Sequence, residues 1–123
     1  MDISAINDSI KESFEVEIVN PKTGEGGWFV ELAGPTHADS QAKIREVIDA
    51  ARKRLVNTSI QDEKDSSEIL CARILGWRGL ESGGKEVPFT SDAALKIVSD
   101  PKCFWVRSQL LRALGDPSRP FAA

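Results

Sequence analysis

The segment Gly79-Leu80-Glu81-Ser82-Gly83-Gly84-Lys85-Glu86 comes closest to a catalytic motif in this chain. It follows the phosphate-binding pattern of two glycines and a lysine up to its last position. That position needs Ser or Thr, whose hydroxyl holds Mg²⁺. Glu86 stands there instead, and its charge repels phosphate. Pro88 also blocks the helix that must follow such a loop. Phosphate binding is not expected.

His37 is the only histidine. Placed after Pro35-Thr36, it fits a solvated helix start better than a base or ligand. Cys71 and Cys103 are far apart, and no Cys-x-x-Cys pair accompanies His37, so a zinc set is not expected. Cys71 becomes a nucleophile only if His37 and an acid converge on it, and its apolar neighbours argue for an inert core thiol. Glu15 and Glu17 alternate along one strand, where solubility explains them as well as acid–base work does. Trp28, Trp77 and Trp105 lack interleaved basic residues apart from Arg78 and Arg107. They fit core anchors or protein-contact hot spots better than nucleotide stacking. No catalytic, cofactor-binding or metal-binding residue is expected.

The 123 residues suit one domain, and 41% hydrophobic with 28% charged residues is ordinary globular composition. Sixteen Lys and Arg against 19 Asp and Glu give a net charge of −3, without the positive field of a general nucleic-acid binder. No apolar run is long enough to cross a membrane. The segment Met1–Asp8 lacks the basic and apolar regions of a secretory signal, so a cytoplasmic protein with reduced thiols is expected.

The elements that must position these residues follow from periodicity. Residues 1–13 form an amphipathic N-terminal arm with Ile3, Ile6 and Ile10 at helical spacing. Residues 14–121 form one α+β domain. Its hairpin, 14–33, buries Phe14, Val16 and Ile18 on one strand and Trp28, Val30 and Leu32 on the other. Turn formers at Asn20–Gly27 make its tip, and a lone hairpin must lean on other elements.

About four helices supply that support, at about 37–55, 67–75, 91–98 and 101–114. Thr36 and Asp39 resemble a capping box for the first, whose stripe is Ile44, Val47, Ile48, Ala51 and Leu55. Residues 56–67 are polar and predict a loop or a frayed helix start. The run Glu68–Leu75 predicts a buried helix stopped at Gly76, with a strand as the alternative for so short a run. Thr90 or Ser91 caps the next helix, and Asp100-Pro101 opens the last, with its seam at Cys103, Val106, Leu110 and Leu114.

With catalysis poorly supported, contact remains. The candidate partner-binding residues are Ile3, Ile6, Ile10, Trp28, Phe29 and Phe121, and an open hairpin edge is a natural place to add a partner's strand.

Pro21-Lys22-Thr23-Gly24 in the hairpin turn, Gly34-Pro35 before a charged helix, and Gly76-Trp77 with Leu80 after an apolar helix recur in a known order. Gly84-Lys85, Val87-Pro88-Phe89-Thr90, a helix with Ala93 and Ala94, and a tail closing near Phe121 complete the pattern. Together they resemble the phage tail assembly chaperones of tailed-phage and prophage morphogenesis clusters. Order and spacing over residues 14–121 carry the resemblance. It implies a non-enzymatic protein of the infected bacterial cytoplasm. Such a protein coats the tape-measure protein, recruits tail-tube subunits and is usually absent from the finished virion. A homo-oligomer is compatible with this, and neither nucleic acid nor membrane is expected as a partner. The alternative is a structural tail or head–tail connector component retained in the particle.

Overall fold

The computed structural model describes residues 1–54, 56 and 58–121. An N-terminal helix α1 (Ile3–Asp8) is capped by the Asp2 carboxylate, which accepts from the Ser4 N–H at 3.0 Å. Strands β1 (Ser13–Ile18) and β2 (Trp28–Ala33) then form the antiparallel hairpin that their alternation predicts. Val16, Ile18, Trp28, Val30 and Leu32 are buried on one face, while Glu15, Glu17 and Glu31 are exposed on the other. Burying one large aliphatic side chain is worth about 1.5–3 kcal/mol, so this face sets the register.

Helix α2 (Ala38–Lys53) begins one residue later than a Thr36 cap requires. His37 is the cap, its Nδ1 accepting from the Ser40 N–H at 3.2 Å. The stripe of Ile44, Val47 and Ala51 is half-buried, Ile48 is exposed, and Leu55 lies outside the described residues.

Of the two alternatives for the polar stretch, the helix holds from Ser59 onward, and it is a full helix rather than a frayed start. Helix α3 spans Ser59–Ala72, with the Thr58 hydroxyl accepting from the Gln61 N–H at 3.1 Å. Hydrophobic periodicity misses its first half because that half buries polar groups. Asp65 is buried and takes both guanidinium nitrogens of Arg54, at 2.6 and 3.0 Å, plus the Gln61 amide at 3.0 Å. Ser67 is buried and accepts from Arg107 at 3.0 Å.

The apolar run predicted as helix 67–75 divides. Its end belongs to strand β3 (Ile74–Arg78), which pairs antiparallel with β2 and makes the sheet three-stranded in the order β1-β2-β3. Gly76 is therefore no helix stop but a strand residue opposite Glu31. Leu75 is the extra residue of a β-bulge, since Glu31 faces Gly76 while Leu32 faces Ile74.

A small ribbon follows, β4 (Glu81–Ser82) with β5 (Lys85–Glu86). Helix α4 (Ser91–Ser99) is capped by Thr90, and Asp100 caps a single 3₁₀ turn, Pro101–Cys103, that leads into helix α5 (Phe104–Leu114). A second 3₁₀ turn, Arg119–Phe121, lies beside β1. Helix α5 packs on β1, α4 on α3 and α5, and α2 on α3. Val106, Leu110 and Ala113 of α5 meet Ala94 and Val98 of α4 and the inner sheet face in one core. The architecture is α+β: a sheet covered on one face by helices, with five α-helices among the described residues where about four were expected.

Candidate interaction surface

The segment resembling a phosphate loop is the β4–β5 ribbon. Gly83 and Gly84 turn it with φ of +59° and +79°, the left-handed pair that a two-residue hairpin needs. No helix follows within reach of its backbone amides; α4 begins at Ser91. His37 is occupied as a helix cap. Cys71 is half-buried, its thiol donating to the Ser91 carbonyl at 3.6 Å, and burial pushes its pKa up. Burial raises the Cys103 thiol as well. Both shifts oppose thiolate formation. Among the described residues, no three His, Cys, Asp or Glu side chains are grouped to hold a metal ion.

The six residues expected to bind a partner are not one surface. Trp28 must be withdrawn from that set: it is 8% exposed, because its position on β2 faces inward. It meets Trp77 edge-on at 5.8 Å, and Trp77 meets Phe89 in the same way at 5.0 Å. These three rings form a core ladder. Phe29 lies on the outer sheet face beneath the Arg78 guanidinium, 4.0 Å from the ring centroid. Ile10 and Phe121 come together, lining with Phe14, Leu114 and Pro120 a cavity of about 390 Å³. The Lys11 N–H ties this junction by donating to the Pro120 carbonyl at 2.9 Å. Ile3 and Ile6 stay exposed.

A larger groove lies elsewhere. It holds about 560 Å³ between α3 and the α4–α5 corner, lined by Ile60, Lys64, Leu95, Pro101, Phe104 and Arg107. Arg107 anchors its floor, donating to Ser67 Oγ and to the Val98 carbonyl at 3.1 Å. Ile60 and Phe104 are 81% and 70% exposed. Sequence reasoning missed this pair. Ile60 falls in the stretch expected as a loop or a frayed helix start, and Phe104 lies off the seam of Cys103, Val106, Leu110 and Leu114. The one available signal was Ile60 itself, an isolated large apolar residue in a polar run.

Among the described residues, no helix covers the outer sheet face. Arg78 reaches across Phe29 to Glu15 Oε1 at 3.0 Å, relieving the like-charge pairing of Glu15 with Glu31 on adjacent strands. No helix of the chain is long and apolar enough to cross a membrane among the described residues. No family model matches the chain, and no curated protein or solved structure matches it.

Proposed function

We propose that this chain is a non-enzymatic phage tail assembly chaperone, which binds the tape-measure protein and recruits tail-tube subunits in the bacterial host cytoplasm. The motif order over residues 14–121 supports the phage assignment. The observation that carries the contact reading is the α3/α4–α5 groove, with Ile60 and Phe104 exposed at its rim. Exposed large apolar side chains beside a groove are the usual receiver for the apolar face of an amphipathic helix. A long apolar helix awaiting assembly needs such a cover, and many weak copies along it release readily.

Coexpression with the tape-measure protein, followed by size-exclusion chromatography with light scattering, tests the reading. Soluble complexes that are absent from mature particles are expected. Retention in purified virions identifies a structural tail or connector component instead. The double variant Ile60→Glu, Phe104→Glu is expected to lose at least about tenfold in affinity for the tape-measure protein. Both sites are exposed, so its stability should move by no more than about 1 kcal/mol in total. Unchanged affinity rejects the groove.

A further inference from the structure

The hairpin has one open edge. Strand β2 is central in the sheet, so only β1 can receive another strand on this side. The Gly34 N–H donates to the Glu12 carbonyl at 2.6 Å, which fixes the phase of the ladder. Phe14, Val16 and Ile18 therefore turn their backbone groups toward β2, and Ser13, Glu15 and Glu17 turn theirs outward. The two ends of this edge are closed. Lys11 is bonded to the tail at Pro120. Val19 is bonded in both directions by the Gln109 amide, at 2.9 Å each way. Between those closures the outward N–H and C=O groups of Ser13, Glu15 and Glu17 have no partner among the described residues.

The geometry points to β1 as an acceptor edge for an extended segment of a partner protein that alternates basic and apolar residues. The side chains of Glu15 and Glu17 lie on the uncovered face, so alternate residues of an added strand would stand directly beside them. Arg78 answers Glu15, while Glu17 and Glu31 leave the face negative. Cationic side chains fit there. The other residues of the added strand continue the row of Phe14, Val16 and Ile18 over the helical layer, where apolar side chains fit. A second copy is disfavoured, because pairing β1 with β1 sets Glu15 and Glu17 of one chain against the same acids of the other. This edge is separate from the Ile60–Phe104 groove and does not depend on the chaperone reading.

The probe is a fluorescent heptapeptide of alternating lysine and valine with blocked ends. Anisotropy measures its binding, and amide hydrogen exchange of the intact chain locates it. Exchange at Glu15 and Glu17 should slow at least about tenfold. Glu17→Lys should weaken binding about tenfold. Methylating the peptide nitrogens that face β1 should abolish it, and Ile60→Glu with Phe104→Glu should leave it unchanged. The inference is overturned by any of four results: no binding at millimolar peptide, equal binding of the N-methylated or a glutamate–valine peptide, protection confined to other residues, or concentration-dependent pairing of the chain with itself through β1.

Discussion

Gln109 acts as a one-residue strand for Val19. Its Oε1 accepts from the Val19 N–H and its Nε2 donates to the Val19 carbonyl, both at 2.9 Å, across 90 residues of sequence. This ties α5 to the end of β1 at a partly buried site. Each such bond contributes about 1 kcal/mol net. Gln109→Ala should therefore cost about 2 kcal/mol, a fall of about 8 °C in Tm by calorimetry. Gln109→Glu should be no better than Ala, because a carboxylate cannot donate to the Val19 carbonyl. A Tm within a degree or two of wild type for Gln109→Ala would show that the tie is dispensable.

The Trp28–Trp77–Phe89 ladder makes a second prediction. Trp77 packs edge-on against both neighbours, and its Nε1 donates to the Val87 carbonyl at 2.9 Å. Trp77→Ala or Phe89→Ala should cost about 3–5 kcal/mol in chemical denaturation. Trp77→Phe keeps part of the packing and loses the hydrogen bond, so its cost should be clearly smaller.

The Arg54–Asp65 pair predicts a pH dependence. The Arg54 guanidinium, by its hydrogen bonds, and then Gln61 hold the Asp65 carboxyl below the usual carboxylate range, against the opposing effect of burial. A carboxylate depressed in the folded state stabilises above its unfolded pKa and loses that contribution as pH falls through the folded one. The Tm gap between wild type and Asp65→Asn should be widest near neutral pH and close on acidification below the carboxylate range. A gap that is constant with pH assigns the effect to packing.

Gly79 separates strain from space. Its φ is +85°, and a Cβ there would collide with the Gly27 carbonyl oxygen, a backbone atom that cannot swing aside. Gly83 has a φ of +59° and nothing within 4 Å of a built Cβ. Gly83→Ala should cost about 1–2 kcal/mol for the left-handed backbone alone. Gly79→Ala should cost more, since the tip of the hairpin must shift. Equal costs in urea denaturation would place the collision outside the energetics.

Alternation made the hairpin legible, because one face of Phe14–Ile18 and Trp28–Leu32 is buried and a slip by one residue would expose it. Thr90 and Asp100-Pro101 likewise announced α4 and the turn before α5 through side-chain oxygens and a fixed φ. The first half of α3 was illegible for the opposite reason. Asp65 and Ser67 are buried by partners distant in sequence, Arg54 and Arg107, which no local pattern reports. Strand β3 was legible only as the alternative to a helix, because helix and strand join at Arg73 within one short apolar stretch from Ile69 to Leu75. Of the exposed large apolar residues, Ile3 and Ile6 stand out in the sequence by their spacing. Phe104 does not, because exposure on a helix that packs on three elements depends on where those elements end.

The join at Arg73 also governs how the molecule comes apart. The Ala33 N–H donates to the Arg73 carbonyl at 2.7 Å, and the Arg73 guanidinium returns two bonds to the Ala33 carbonyl, at 3.1 and 2.8 Å. This knot closes the base of an excursion, α2 with α3, between two strands that remain neighbours. Helix α2 buries only Ser40. It can therefore peel outward while the β2–β3 ladder stays zipped behind the knot, so that after α1, which buries no residue, residues 38–53 are the next helical turns to yield to a protease.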